Sequence, residues 1–261
     1  MTKSYLESLF GLSGQVAVVI GGTGVLGGAL AEGIAQAGAT TVVAGRSPER
    51  GQQRVEAITK LVAKASFLAV DVYKRESIEK LLADTLKQHG RVDMLVNCAG
   101  VNAANDYFTA PDDQWQRIIQ TNLTSTHWAC QIFGAQMVKS GGGSILNIGS
   151  VSGGHTPLSR VYAYAASKAA VLNLSKNIAR ELATQKVRVN VLCPGFFPAE
   201  QNRKILDPKR IENIMRHTPM DRFGEPNELI GAALLLLSKN AGSFITGSAV
   251  YVDGGFTAMS I

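Results

Sequence analysis

Seven short apolar runs recur along the chain, and they constrain its fold more than any other feature. Longer segments of helical length and spacing separate them, and none of the seven alternates cleanly between apolar and polar residues. Strands that are apolar on both sides belong in a parallel sheet covered by helices on each face. The pattern therefore predicts a Rossmann-like, doubly wound α/β fold with a seven-stranded parallel sheet. The predicted strands are Val16–Ile20, Thr40–Ala44, Ser66–Val70, Met94–Asn97, Ser144–Ile148, Val187–Leu192 and Ala249–Val252.

The length of 261 residues suits one large α/β domain or two small ones. No linker, repeat or shift in composition divides the chain. We therefore predict a single domain over residues 15–261, preceded by an N-terminal lead-in at residues 1–14. The segment 194–219 is predicted to be the one long irregular insertion, and residues 196–219 within it to form a substrate loop or lid.

Charge and cysteine usage argue against several classes of protein. The net charge is +6, but the basic residues are scattered, so we expect no nucleic-acid partner. The longest apolar stretch, Ile230–Leu237, is far shorter than the ~20 residues that span a bilayer, and we expect neither membrane insertion nor export. Cys98, Cys130 and Cys193 lie in apolar segments and predict reduced thiols in the cytoplasm. The four histidines lack metal-ligand spacing, so no metal is predicted.

A glycine-rich segment, Gly21–Gly28, follows the first predicted strand directly. A helix of small residues, predicted over Ala29–Ala37, comes next. Glycines let the backbone turn tightly and let the helix N-terminus approach a pyrophosphate. Between a strand and a helix, this segment predicts a dinucleotide site, and a tight structural turn is the alternative.

The end of the second predicted strand indicates which dinucleotide is bound. An acidic residue there would bind the 2′-hydroxyl of NAD, whereas a basic residue would accommodate the 2′-phosphate of NADP. This chain has Arg46, with Ser47 and Thr23 as additional hydroxyl donors. We expect NADP(H) to be preferred over NAD(H), and the alternative is that Arg46 is a solvated residue at a helix start.

A tyrosine and a lysine four residues apart, Tyr164 and Lys168, lie on one face of a predicted helix. A neighbouring ammonium favours phenolate, so we expect the pKa of Tyr164 to be lowered and the residue to act as acid and base. Ser150 is predicted to bind the substrate oxygen and stabilise charge as hydride is transferred. Tyr162 is interpreted as packing or cleft lining, and Ser152 is a weaker rival to Ser150.

Further motifs follow the predicted strands in order: Asp71 after the third, Asn97–Gly100 at the fourth, Ser150 after the fifth and Pro194–Gly195 after the sixth. With the glycine-rich turn and the Tyr-x-x-x-Lys pair, they make the chain resemble the short-chain dehydrogenase/reductase family across nearly its whole length. The resemblance implies hydride transfer between a nicotinamide cofactor and a ketone or secondary alcohol. It also implies cofactor contacts at Gly21, Thr23, Val25, Leu26, Gly27, Arg46, Ser47, Asp71, Val72, Asn97, Ala99, Gly100, Tyr164, Lys168, Pro194, Gly195 and Phe197.

The resemblance assigns two more roles and an assembly. Asn122 supports a water relay that leads to Lys168, and Lys168 also grips the nicotinamide ribose. A homotetramer, or otherwise a dimer, is expected, since long helices predicted at 111–139 and 158–184 are apolar on more than one stripe. The chain departs from the family pattern at Ile20 and Val25, where threonine and glycine are usual, and at Ala199, where threonine is frequent.

Substrate recognition is expected from three rather polar loops, 100–106, 151–161 and 196–219. Parts of them are similar to the sugar-acid branch of the family, which includes D-mannonate (fructuronate) oxidoreductase-like members and gluconate 5-dehydrogenases. A small sugar acid or related polyol or keto acid is therefore the predicted substrate. The alternative interpretation is that Arg160 and Arg203 are ordinary surface charges. The candidate substrate residues are Asn102, Ser152, Arg160, Gln201, Asn202 and Arg203.

Two other functions remain open. A 3-oxoacyl thioester reductase that acts on acyl carrier protein would share the same residues and the NADP preference, but its acyl chain should require a more apolar cleft. A non-catalytic NADP-binding sensor is the more distant alternative, and the presence of both Tyr164 and Lys168 argues against it.

Overall fold

The structure is a computed structural model that describes residues 4–61, 63–154, 158–197 and 208–259. The strands are β1 (Val16–Ile20), β2 (Thr40–Gly45), β3 (Ala65–Ala69), β4 (Met94–Asn97), β5 (Gly143–Ile148), β6 (Val187–Pro194) and β7 (Ala249–Val252). They form one parallel sheet in the order β3-β2-β1-β4-β5-β6-β7, which confirms the predicted Rossmann-like, doubly wound fold. The order reverses between β1 and β4, so a crevice opens at the carboxyl ends of these two strands.

Helices connect the strands, and local signals set several helix ends. The Ser47 side chain accepts a hydrogen bond at the start of α3, Pro48 takes the first position of that helix, and Gly90 ends α4 with a φ of 73°. The described helices are α1 (Tyr5–Phe10), α2 (Val25–Gln36), α3 (Pro48–Lys60), α4 (Arg75–His89), α5 (Asp112–Ile119), α6 (Ser125–Lys139), α7 (Tyr162–Leu182), α8 (Pro208–Arg216) and α9 (Ile230–Leu237).

Two apolar layers lie on opposite faces of the sheet and explain why the strands do not alternate. In β1, Val19 packs into the layer with Leu30 of α2, whereas its neighbour Val18 packs into the layer with Phe133 of α6. Both valines are fully buried because helices cover each face. Among the described residues, no helix has the length and apolar character needed to cross a membrane.

Two predicted helix boundaries are wrong. Helix α2 begins at Val25 and not at Ala29, because the helical turns start directly after Gly24. The predicted helix 158–184 begins only at Tyr162 as α7, and a 3₁₀ turn, Ala183–Gln185, follows Leu182.

The segment 111–139 is not one regular helix. A π-type turn, Gln120–Thr124, separates α5 from α6. Such wide turns are rare and cluster at functional sites, and no apolar periodicity marks this one in the sequence.

The segment 194–219 is not irregular throughout. Pro194 ends β6, and α8 occupies Pro208–Arg216. Pro208 stands at the first position of α8, where its missing N–H is tolerated, and Ile214 is buried.

Candidate active site

The turn after β1 brings two backbone segments into close contact. Gly21 has a φ of 86°, and a Cβ at this position would lie 2.6 Å from the Ala99 nitrogen. A Cβ on Gly27 would collide with the Gly21 carbonyl, so the first turn of α2 lies directly on the glycine turn. Gly24 precedes α2 without any side-chain cap. The first N–H groups of α2 therefore suit an anion such as the pyrophosphate of a dinucleotide.

The end of β2 presents a cation beside the glycine turn. Arg46 is exposed and makes no hydrogen bond or ion pair with any residue that the structure describes. A Cβ on Gly45 would lie 2.6 Å from Thr23 Oγ1, which places this hydroxyl against the backbone beside Arg46. Ser47 Oγ accepts a hydrogen bond from the Arg50 N–H at 3.3 Å. A guanidinium and two hydroxyls thus lie at this strand end, and such groups suit a phosphate.

The loop after β3 is ordered by its own acidic residue. Asp71 Oδ1 accepts a hydrogen bond from the Tyr73 N–H at 3.1 Å, and the Asp71 N–H donates to Ser77 Oγ at 2.9 Å. Val72 is buried beside them. This loop stands at the same sheet edge as Arg46, where an adenine-sized group could rest on it.

The candidate contacts at β4 divide into two kinds. The Asn97 side chain faces the interior, where Nδ2 donates to Asn147 Oδ1 at 2.8 Å and reaches Cys130 Sγ at 3.5 Å. Only its backbone is therefore positioned toward a ligand. Ala99 and Gly100 follow β4 at the open edge, beside the glycine turn and beside Lys168: a Cβ on Gly100 would lie 3.8 Å from Lys168 Nζ.

Ser150, Tyr164 and Lys168 meet at the carboxyl end of β5. The Ser150 side chain lies close enough to the phenol of Tyr164 to lower its pKa. Lys168 Nζ lies 5.6 Å from the centroid of the Tyr164 ring and donates to the Ile148 carbonyl at 2.7 Å. Ser150 Oγ also accepts hydrogen bonds from Ser152, from Oγ at 2.9 Å and from N–H at 3.2 Å. A hydroxyl, a phenol and an amine thus converge on one point of the crevice.

The expected lowering of the Tyr164 pKa is wrong for the protein itself. Burial of the phenol raises its pKa, and the interaction with Ser150 only partly opposes this. Burial also lowers the pKa of Lys168 from 10.5 to about 8. Tyr164 is therefore a neutral phenol at pH 7, which is the form that donates a proton.

Asn122 lies in the π-type turn and is nearly fully buried. Its side chain clamps the loop after β4: Oδ1 accepts from the Val101 N–H at 2.8 Å, and Nδ2 donates to the Val101 carbonyl at 2.9 Å. Nδ2 also donates to Ser167 Oγ at 3.0 Å, which ties the turn to α7 next to Lys168. The wide turn thus brings Asn122 into the same cluster as the tyrosine and the lysine.

Residues at the carboxyl end of β6 form another wall of the crevice. Pro194 ends β6, and the Gly195 N–H donates to the Val252 carbonyl at 2.9 Å. Phe197 is buried with Gly224 against its ring. Beyond it lies a cavity of about 430 Å³ whose walls include Phe196, Phe197, Thr218, Met220, Arg222, Glu228, Tyr251 and Asp253.

Three of the six candidate substrate residues fall within the described chain. Asn102 Oδ1 is buried without a hydrogen-bond partner in the part of the chain that the structure describes. Ser152 is buried against Ser150. Arg160 is exposed, with a φ of 66° and its carbonyl accepting from the Asn105 N–H at 2.9 Å. Gln201, Asn202 and Arg203, and likewise Ala199, lie outside the described residues.

Several residues near the site carried no signal in the sequence. Tyr107 packs edge-on against Tyr162 with ring centroids 5.0 Å apart, and Phe108 is 91% exposed beside them. Aromatic rings therefore follow directly after the predicted polar loop 100–106. Cys193 of β6 and Tyr251 of β7 lie opposite each other in the strand register and interact next to Ser150. Only the strand register, which the sequence does not specify, reveals that pair.

Comparisons with known proteins cover most of the chain. A family model described as Enoyl-(Acyl carrier protein) reductase matches residues 23–257. The uncharacterized oxidoreductase UxuB of Bacillus subtilis (strain 168) is 35% identical over 270 residues, which cover 95% of this chain and 97% of that protein. The 3-oxoacyl-[acyl-carrier-protein] reductase FabG of Haemophilus influenzae is 35% identical over 244 residues, which cover 94% of this chain and 98% of that protein.

The fold also matches solved structures. A gluconate 5-dehydrogenase from Burkholderia cenocepacia J2315, in complex with NADP and tartrate, superposes with a TM-score of 0.93 at 30% identity. The match covers 98% of this chain and 100% of that structure. The comparisons thus span the glycine turn, the Ser150 loop and α7 together.

Proposed function

The chain belongs to the short-chain dehydrogenase/reductase family, and from this premise we propose that it reduces the ketone of a small sugar acid, or oxidises the matching alcohol, with NADP(H). Membership makes it an NAD(P)(H)-dependent oxidoreductase that acts on CH–OH groups and takes a small-molecule substrate. The observation that carries the proposal is the meeting of Ser150, Tyr164 and Lys168 beside an uncapped helix N-terminus.

Tyr164 is proposed as the proton donor to the substrate oxygen. Its raised pKa keeps the phenol protonated, and its interaction with Ser150 supports a site where one carbonyl oxygen contacts both hydroxyls. Ser150 stabilises the negative charge that develops on that oxygen. When bound, NADPH supplies the hydride to the carbonyl carbon. In oxidation, the same phenol oxygen receives the proton back.

Lys168 is proposed to hold the nicotinamide ribose and to support proton supply to Tyr164. With a pKa of about 8, its amine exchanges protons close to neutral pH. Asn122 is proposed to support the water relay toward it. The Asn122 side chain fixes the Val101 backbone and Ser167, so it acts here by positioning the cluster.

The proposed preference for NADP(H) rests on Arg46. Its exposed guanidinium, with Thr23 and Ser47 nearby, suits a phosphate dianion, and the strand end carries no acidic side chain to bind a ribose diol. The gluconate 5-dehydrogenase relative was solved with NADP. The test compares KM for NADPH and NADH in the wild type and in Arg46→Asp. An unchanged preference for NADPH in the variant would contradict the proposal.

A sugar-acid substrate is supported by polar groups in two of the predicted substrate loops. Asn102 has a buried amide oxygen without a partner among the described residues, and Arg160 offers an exposed cation to a carboxylate. The relative solved with tartrate is a gluconate 5-dehydrogenase. Reduction of a 3-oxoacyl thioester is the second candidate, because Tyr107 and Phe108 expose aromatic rings near the site and the Haemophilus relative is such a reductase.

The decisive experiment is NADPH oxidation across hexonates, hexuronates, neutral ketones and acetoacetyl thioesters. Preference for uncharged apolar ketones or for thioesters would overturn the sugar-acid assignment. Tyr164→Phe should abolish turnover, because no other phenol meets Ser150. Tyr162→Phe is the matched control, two residues away on the same helix and packed against Tyr107, and should retain activity. Full turnover in Tyr164→Phe would contradict the whole scheme.

Self-association, as a homotetramer or a dimer, is also proposed. A groove between α6 and α7 has an apolar lining that includes Ala135, Val138 and Ile178, and Phe244 is fully exposed elsewhere on the surface. Light scattering after gel filtration tests it, and a monomer at micromolar concentration would contradict it. Cytoplasmic location remains a prediction from the three free thiols.

A further inference from the structure

Two side chains outside the proposed catalytic set lie directly beneath the Ser150 loop. Cys193 of β6 and Tyr251 of β7 are opposite each other in the strand register. A Cβ on Gly149 would lie 2.7 Å from Cys193 Sγ, and a Cβ on Gly154 would lie 2.7 Å from the Tyr251 hydroxyl oxygen. The loop therefore rests on the pair at both of its ends, with no room for a larger residue at either glycine.

The sulfur of Cys193 connects the pair to Ser150. Cys193 is fully buried, and its sulfur interacts with the Ser150 backbone N–H and with the Tyr251 hydroxyl. The sulfur also lies against Gly149, the residue before Ser150, so it restricts the position of the Ser150 backbone. Ser152 holds the Ser150 side chain from the other direction. The position of the Ser150 hydroxyl thus depends on contacts from three elements.

We propose that Tyr251 and Cys193 are positioning residues that hold the Ser150 hydroxyl in its place against Tyr164. The inference rests on the role of Ser150 proposed above. Neither residue touches the reacting atoms: Tyr251 acts on Cys193 and Gly154, and Cys193 acts on the Ser150 backbone. The Tyr251 ring also lines the 430 Å³ cavity. A molecule bound in that cavity can therefore contact one of the two positioning residues.

Turnover gives the first test. Tyr251→Phe keeps the ring and removes one donor, so kcat should fall about three- to tenfold while KM for NADPH stays unchanged. Cys193→Ala should lower kcat at least as much, and Cys193→Ser, which keeps a polar atom at the position of the sulfur, should recover most of the loss. The double variant Tyr251→Phe/Cys193→Ala should be no slower than Cys193→Ala alone, because both changes break one chain of contacts.

A matched control separates positioning from packing. Cys130→Ala removes a thiol that is equally buried but lies on α6, so it should lower thermal stability without changing kcat. Equal kcat in the wild type, Tyr251→Phe and Cys193→Ala would overturn the inference, and so would an equal loss in Cys130→Ala. If Ser150→Ala is inactive while Tyr251→Phe is fully active, the proposed function stands and the inference fails.

A second readout needs no turnover. Tyrosines labelled with ¹³C at Cζ give six signals, and Tyr164→Phe assigns one of them. The groups that act on Tyr164 are Ser150, Cys98 and Cys193, with Lys168 beside the ring. Because the interaction with Ser150 lowers the Tyr164 pKa, Tyr251→Phe should move the titration of this signal to higher pH. An unmoved titration would overturn the inference even if no substrate has been found.

Discussion

Replacing Lys168 by methionine should change how the stability of the fold depends on pH. Burial lowers the Lys168 pKa from 10.5 to about 8, so between these two values the unfolded chain binds a proton that the folded chain has released. Stability conferred by this residue must then rise with pH, since the unfolded state binds more protons. Below pH 8 the buried ammonium costs free energy, and above pH 10.5 that cost is gone.

The size of this change in stability follows from the shift of the Lys168 pKa. At about 1.36 kcal/mol per pKa unit, a charged Lys168 costs roughly 3 kcal/mol at pH 7, and most of this is relieved by pH 10. The unfolding free energy of the wild type minus that of Lys168→Met should therefore increase by about 2 to 3 kcal/mol between pH 7 and pH 10. Burial raises the pKa of Cys98 and Cys193 to about 11, so both thiols stay protonated over most of this window.

The assay is urea unfolding at pH 7, 8, 9 and 10, followed by circular dichroism. Groups that titrate alike in both proteins cancel in the difference. Lys176→Met, which removes an exposed lysine from the same helix, controls for the substitution itself. Parallel free energies for the wild type and Lys168→Met across the range would refute the reasoning. The Lys168→Met variant should also lose most of its NADPH-oxidation activity, because it lacks the amine.

Three further substitutions have expected outcomes. Gly21→Ala should weaken NADPH binding in a fluorescence titration and destabilise the fold by about 1–3 kcal/mol, because φ is 86° and Ala99 blocks the new methyl. Arg188→Met should lower the urea midpoint by the equivalent of about 3 kcal/mol, since the guanidinium donates to the carbonyls of Leu236 and Leu237. Ser175→Ala should cost about 1–2 kcal/mol by thermal unfolding, as it leaves a buried amide of β5 without its acceptor.

Much of the fold follows from the sequence because strands that are buried on both faces are mostly apolar along their length. Val18 and Val19 point to opposite layers and both are apolar, and the strands of this sheet are visible as mostly apolar runs without alternation. Strand ends shift by one or two residues, as at Ala65–Ala69, because the last ladder bonds depend on the neighbouring strand.

The candidate site is predictable only where spacing along the chain matches proximity in space. Tyr164 and Lys168 are one helical turn apart, so their pairing is visible at once. The direction of the Tyr164 pKa shift is not visible in the sequence, because it depends mainly on how deeply the phenol is buried. Cys193 and Tyr251 meet through strand register across 58 residues of chain, and no local pattern encodes that contact.

The wide turn at Gln120–Thr124 absorbs one extra residue between α5 and α6. A π-type turn uses about one residue more than an α-helical turn for a full rotation, so deleting a single residue here would restore a regular helix and leave α6 in nearly its present rotational phase. Phe133 and Met137 would keep their places in the apolar layer against the sheet. The residues of the turn itself would shift, and Asn122 would lose the bulged position from which it contacts Val101, so a one-residue deletion should damage the site more than the core.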